Sequence, residues 1–159
     1  NNINNQYIIY VNQFINNNIM TSIPKLLLHY DCPKVLIKEF LAGYFGRYAS
    51  MPIINKNYLT CINLNIDVQI TRSHEILEFY NNICNFLNLL GIYDSKIWSS
   101  NINDKNYVKY KLIIPKSTIF MENIGVRYSI EKQYKLSLAT SYWRLKNNIS
   151  FTDYLKELE

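Results

Sequence analysis

The stretch INLNIDVQIT at residues 62–71 alternates apolar and polar side chains at every step. A period of two residues is typical of a β-strand that buries one face and exposes the other. The stretch YVKYKLII at residues 107–114 repeats the pattern, ends at Pro115 and carries two lysines on its polar face. Together the two stretches predict a sheet with one buried face and one polar, partly basic face.

Helical periodicity flanks both strands. After Pro33, an apolar pattern around most of the helix circumference predicts a buried helix, with the small residues Ala42 and Gly43 in its middle. Adjacent small residues suit a place where another backbone approaches closely. Ser73 is a candidate N-cap for the next helix, and Gly91 is a candidate stop signal.

One more helical pattern runs from about residue 129 to residue 146, and its apolar positions are Ile130, Tyr134, Leu138, Tyr142 and Leu145. Residues 7–15 fit a short amphipathic helix. The resulting order of helices and strands predicts an α+β domain in which helices cover one face of an antiparallel sheet. We expect an Asn-rich arm at residues 1–22, the domain at residues 23–147 and a tail at residues 148–159.

Length and composition restrict the class of protein. The chain has 159 residues, enough for one domain with a core, and 48% of them are hydrophobic against 18% charged. No apolar run approaches the roughly 18 residues of a membrane span, so we expect no membrane contact. Three widely spaced cysteines match no metal-ligand pattern, which argues against a disulfide framework and against a zinc site. The abundant Ile, Asn, Tyr and Lys have AT-rich codons, which favours an organelle, parasite, protist or large-virus genome.

Positive charge is concentrated in one part of the chain. The formal net charge is +5, and residues 105–146 contain nine basic residues against two acidic ones, so the rest of the chain is slightly acidic. Aromatic residues lie between these basic residues, as expected for a protein that binds a phosphate backbone. The alternative is an ordinary solvated basic face.

The segment FLAGYFG at residues 40–46 resembles the signature helix of LAGLIDADG homing endonucleases, especially those carried within inteins. NIGVRY at residues 123–128 and SYWRL at residues 141–145 resemble the C-terminal signature of intein-type members, so the resemblance covers roughly residues 23–147. It implies one αββαββα repeat whose sheet forms a saddle over the major groove. It also implies that the signature helix contacts a two-fold mate or another protein partner through Leu41, Ala42, Gly43 and Phe45.

The resemblance fails at the position that carries the family's chemistry. Two residues beyond the Phe-Gly step, members of the family have an Asp or Glu that holds a divalent metal ion, and this chain has Tyr48. A neutral phenol is a poor ligand for a hard cation. We therefore expect no cleavage and no metal or other cofactor, with Mg²⁺ needed only if the chain is an active endonuclease. Arg127 and Lys132 are the basic residues that the resemblance places near the scissile phosphate.

Candidate contacts to nucleic acid lie on the polar sheet face and in the basic region that follows it. They are Asn65, Asp67, Gln69, Thr71, Tyr107, Lys109, Lys111, Lys116, Arg127, Lys132 and Lys135. The alternative is that they are ordinary solvent-facing residues, because every half-buried strand needs a polar face. Trp98 and Trp143 are able to stack on bases, but packing in the core is the favoured interpretation for both.

The sequence as a whole favours a nucleic-acid-binding domain that derives from a LAGLIDADG homing endonuclease and no longer cuts. Such a domain is either a decayed homing domain of an intein or intron, or a structural RNA-binding component of an organellar ribonucleoprotein such as a mitochondrial ribosome. We accordingly expect a mitochondrial or other organellar location, with another intracellular location as the alternative. The alternatives are an active endonuclease or maturase acting on double-stranded DNA, and a protein-interaction module with an incidental basic face. The choice between DNA and RNA stays open.

Overall fold

The structure is a computed structural model that describes residues 21–55, 58–101 and 106–146. The pattern at residues 7–15, nearly all of the N-terminal arm and the whole tail lie outside the described residues. The chain forms, in order, α1 (Lys34–Tyr48), β1 (Ile54–Asn55), β2 (Tyr58–Leu59), β3 (Ile62–Gln69), α2 (Ser73–Leu89), β4 (Lys96–Asn101), β5 (Tyr107–Ile114), α3 (Ser117–Asn123) and α4 (Ile130–Lys146). None of the described helices is long and apolar enough to cross a membrane.

Three antiparallel strands form the main sheet, in the order β3-β5-β4, so the α+β prediction is confirmed. The two strands predicted from alternation are neighbours, with Leu64 opposite Leu112. β1 and β2 pair only with each other within the described residues. The segment that follows α1 pairs with the free edge of β3, since Ser50 and Asn63 exchange two backbone hydrogen bonds of 2.7 and 3.1 Å.

The core lies between the apolar face of the sheet and the helices. Every second residue of β3 and β5 is buried, as their period of two predicts. The Tyr80 side chain of α2 is fully buried, and its hydroxyl donates a 2.9 Å hydrogen bond to the carbonyl oxygen of Leu64. The middle of α1 is buried as predicted, whereas Val35 in its first turn is 60% exposed.

The two predicted boundary signals of α2 differ in outcome. Gly91 has φ +81°, a conformation that favours glycine, and follows the last helical turn, so the predicted stop is confirmed. The prediction that Ser73 caps the helix is wrong, because Arg72 is the N-cap and the buried Ser73 hydroxyl has no hydrogen-bond partner in the described part of the chain. Arg72 instead pairs with Glu75 in the first turn.

Another backbone segment of the same chain packs closely against the small residues of α1. The Arg127 amide donates a 3.0 Å hydrogen bond to the carbonyl oxygen of Ala42, and a Cβ at Gly46 would overlap the Arg127 carbonyl oxygen. The ring of Tyr128 lies over Gly43. The close backbone approach predicted at Ala42 and Gly43 is therefore confirmed at Ala42, whereas Gly43 meets a side chain. The approaching segment is the one that leads into α4.

Helix α4 has the predicted bounds, but its apolar stripe faces solvent. Ile130 is 85% exposed and Tyr134 67%, whereas the buried residues of the helix are Leu136, Ala139 and Thr140. The period of the pattern located the helix correctly. The side of α4 that packs on the chain is thus not the side with the largest apolar residues.

Candidate nucleic-acid interface

The outward side of the sheet brings together most of the predicted contact residues. Antiparallel pairing sets Asn65 opposite Lys111, Asp67 opposite Lys109, and Gln69 opposite Tyr107. Residues directly opposite each other on one face have Cβ atoms about 5 Å apart, so these three pairs form one continuous surface. We call this surface, with the contributions of β4, the outer sheet face: Asn65, Asp67, Gln69, Lys96, Trp98, Ser100, Tyr107, Lys109 and Lys111.

Strand β4 adds residues that sequence reasoning did not place on this surface. Trp98 lies opposite Lys111, and Ser100 lies opposite Lys109. Because Trp98 is 51% exposed, the interpretation that favoured core packing for it is wrong. The alternation of Lys96, Trp98 and Ser100 was the available signal, but it is weak because the intervening positions include Ser99 and Asn101.

Thr71 does not belong to the outer sheet face. Strand β3 ends at Gln69, and residues 70–72 form a short 3₁₀ turn. The amide of Ile70 donates a 2.9 Å hydrogen bond to the carbonyl oxygen of Asn106, and the Ile70 side chain is 56% exposed. The alternating pattern therefore continues two residues beyond the strand, and Thr71 lies in the turn that leads to α2.

Two lysines lie in the middle strand of the outer sheet face. Lys109 and Lys111 are half-buried, and neither makes an ion pair with a residue of the described part of the chain. Asn65 and Ser100 flank them on the neighbouring strands with groups that donate and accept hydrogen bonds. Positive charge with adjacent polar side chains is the arrangement that contacts phosphate oxygens and base edges.

The other basic candidates are held by partners within the chain, and we call them the paired cations. Arg127 pairs with Glu39 at 3.2 Å and Lys116 pairs with Asp94 at 2.8 Å. Lys132 donates a 3.0 Å hydrogen bond to the carbonyl oxygen of Arg47, at the C-terminal end of α1. The last of these candidates is Lys135, which pairs with Glu131. Arg144 was not a candidate, but it pairs with Glu122 and is included in the same group.

The end of α1 is the position where the family has its metal-binding acid. Tyr48 packs on Tyr44, with ring centroids 4.9 Å apart, and the Arg47 guanidinium lies 5.9 Å from the centre of the Tyr48 ring. Partial burial lowers the pKa of Lys132, and Arg47 nearby adds to this effect. Two positive groups therefore lie beside Tyr48, and no group of three metal-ligating side chains occurs among residues 21–55, 58–101 and 106–146.

The predicted contacts between α1 and a partner differ in accessibility. Leu41, Ala42 and Phe45 are fully buried in the core of this chain, and Gly43 is partly covered by Tyr128. A contact between these residues and a second copy stays a prediction. At Ala42 and Gly43 such a contact would require Arg127 and Tyr128 to move away from α1, and at Phe45 it would also displace the ring of Phe120.

Comparison of the chain with protein-family models, curated proteins and solved structures finds no match. The resemblance to the LAGLIDADG family accordingly rests on the motifs in the sequence.

Proposed function

We propose that this protein is a nucleic-acid-binding domain that contacts phosphates through the outer sheet face. The observation that carries the proposal is the position of Lys109 and Lys111, which lie in the central strand without an ion-pair partner in the described part of the chain. Phosphates attract such cations from a distance and displace condensed counterions when they bind.

The composition of the outer sheet face supports the same function. Asn65 and Gln69 offer amide groups, and Ser100 offers a hydroxyl group, on either side of the lysines. Amide and hydroxyl groups reach phosphate and sugar oxygens as well as base edges. The one acidic residue of the surface, Asp67, lies opposite Lys109 and can accept hydrogen bonds from exocyclic amino groups of bases.

We further propose that the domain descends from a LAGLIDADG repeat and does not cleave nucleic acid. The motif at residues 40–46 and the observed α+β order support the descent. The loss of cleavage is supported by Tyr48 at the acid position and by the positive groups of Arg47 and Lys132 beside it, which disfavour a divalent cation there. A structural role in an organellar ribonucleoprotein is the setting that we propose for such a domain.

Binding is tested by measuring affinity for RNA and DNA oligonucleotides across a range of salt concentrations. We expect the logarithm of affinity to fall linearly with the logarithm of salt. We expect the double variant Lys109→Ala/Lys111→Ala to reduce the steepness of that fall by about 1.4 on a single strand, or by about 2 on any duplex that binds. The matched control is Lys25→Ala/Lys34→Ala, which removes two exposed charges outside the sheet. Equal slopes for the two double variants would contradict the assignment of the surface, and salt-independent binding would contradict phosphate contacts altogether.

Cleavage is tested by incubating supercoiled DNA with Mg²⁺ and wild-type protein or the variant Tyr48→Asp. We expect the wild-type protein to leave the DNA intact, because no carboxylate holds the metal ion at this position. Nicking by the wild-type protein that Tyr48→Asp does not increase would show that the chain retains its own catalytic site.

A further inference from the structure

We infer that Trp98 stacks on unpaired bases, so that the outer sheet face binds single-stranded nucleic acid rather than a duplex. The inference rests on the proposed function and specifies its substrate. It starts from Trp98 itself, since half of this large side chain is exposed on the edge strand β4. An exposed aromatic residue on a sheet edge promotes aggregation with other chains, and a bound ligand that covers the ring prevents this contact.

The charges around Trp98 indicate which ligand covers it. Lys111 lies directly opposite Trp98, Lys109 lies on the diagonal, and Lys96 is two residues away on the same face of β4. Strand geometry places the Cβ atoms of all three lysines within about 8 Å of the Cβ atom of Trp98. An aromatic ring among three cations matches a ligand that has both flat π-faces and phosphates at short spacing, which describes a nucleic acid strand.

Whether the bases are paired decides between a duplex and a single strand as the ligand. In a duplex the faces of the bases are covered by their neighbours, and only their edges are accessible in the grooves. An indole ring on a sheet gains most of its contact from the face of a base, which an unpaired strand exposes. Tyr107, which is 37% exposed, provides a second ring on the same surface.

The spacing of the two rings fits an extended strand. Trp98 and Tyr107 lie on neighbouring strands, and Tyr107 is four residues along β5 from the residue opposite Trp98. The distance between the two positions is therefore about 14 Å. Bases stacked on each other rise by about 3.4 Å, so the rings contact bases that are not neighbours. Lys111 lies beside Trp98, and Lys109 lies between the two rings, so that both lysines can contact the phosphates between the stacked bases.

The test compares Trp98→Thr with Trp98→Phe, because threonine keeps the strand propensity and phenylalanine keeps an aromatic face. Each variant is titrated with a labelled single-stranded RNA, the same sequence as DNA, and a duplex of equal length, about 12 nucleotides. We expect Trp98→Thr to weaken single-strand binding by about tenfold and duplex binding by less than twofold, with Trp98→Phe close to wild type. The matched control is Tyr134→Thr, which removes an aromatic residue of 67% exposure from α4.

A second readout uses the fluorescence of Trp98. The chain has two tryptophans, so Trp143→Phe leaves Trp98 as the only one, and we expect single strands but not duplexes to quench its emission. Loss of single-strand affinity in Trp98→Thr together with this quenching establishes stacking, and equal losses with the RNA and DNA strands show that the 2′-hydroxyl group is not required.

Two outcomes overturn the inference in distinguishable ways. If Trp98→Thr binds every oligonucleotide as the wild type does, while Lys109→Ala/Lys111→Ala loses affinity, stacking is wrong and the proposed function stands. If the wild-type protein binds none of the oligonucleotides at low salt, the proposed function fails as well.

Discussion

Seven of the nine basic residues at positions 105–146 form two groups that differ in their partners within the chain. Lys109 and Lys111 lie on the outer sheet face without an ion-pair partner in the described chain. The paired cations are each bound by a group of the chain itself, as Arg127 is by Glu39. One basic stretch of sequence thus contains residues available for a ligand and residues that already have a partner within the chain.

The difference shows why the number of basic residues in a stretch of sequence overestimates how many of them bind a ligand. A cation that already has a carboxylate partner must give up that interaction before it neutralises a phosphate, so its net contribution to binding is smaller. Lys132 is held by a carbonyl group instead, because its ammonium group donates a hydrogen bond to the carbonyl oxygen of Arg47 in the last turn of α1, at the negative end of the helix dipole. We therefore expect the two groups to respond differently to substitution.

The largest expected effect comes from breaking the backbone contact that positions Arg127, one of the paired cations. Gly46→Ala places a methyl group on the Arg127 carbonyl oxygen, so we expect a loss of about 3 kcal/mol in the free energy of unfolding. Urea denaturation measures it. At Gly43 the same substitution meets only the Tyr128 ring at 3.4 Å, so Gly43→Ala is the matched control and should change stability by less than about 1 kcal/mol. Equal losses in the two variants would contradict the described packing of residues 125–128.

The next effect separates the two groups of cations by affinity. Lys109→Ala/Lys111→Ala and Arg127→Ala/Lys135→Ala remove the same charge from the chain. We expect the first to weaken oligonucleotide binding about tenfold at about 0.15 M salt, and the second to weaken it less than twofold. Fluorescence anisotropy with one labelled oligonucleotide provides both values. A larger loss in the second variant would mean that the paired cations, rather than the outer sheet face, form the interface.

The smallest expected effect is a decrease in folding stability at low pH. Hydrogen bonds from Arg72 and Thr21 lower the pKa of Glu75 to about 2, and Lys116 and Lys135 lower the pKa values of Asp94 and Glu131. A lowered carboxyl pKa stabilises the folded state above the pKa of the unfolded chain, about 4, and this stabilisation disappears as the pH falls toward 2. We expect a small fall in the urea midpoint over this range, because all three pairs are exposed. Glu75→Gln should reduce the fall, and a rise in stability on acidification would contradict the pairing.

Much of the fold could be predicted from the local pattern of apolar and polar residues, whereas only part of the candidate site could. Alternation located β3 and β5, and an apolar run with small residues located α1, because these signals depend on neighbours in sequence. The orientation of α4 did not follow, since which side of a helix packs depends on the distant elements that meet it. The pairing of Arg127 with Glu39, which are 88 residues apart, leaves no local signal in the sequence.

The side of the sheet on which Trp98 lies also required the structure. Strand β4 is at the sheet edge, and its inward positions include only one large apolar residue, Ile97, so its alternation is too weak to assign faces. Register with β5 assigns them instead, because Trp98 must point to the same side as Lys111.

The central claim is that nucleic acid binds the outer sheet face, and residue-resolved nuclear magnetic resonance tests it most directly. A nitrogen–proton correlation spectrum of the protein would be followed during titration with a single-stranded oligonucleotide. We predict that the signals that shift belong to β3, β4 and β5 and include the indole of Trp98, while those around Glu131 and Lys135 in α4 stay in place. Shifts confined to α4 and the segment around Arg127, with an unchanged sheet, would contradict the claim.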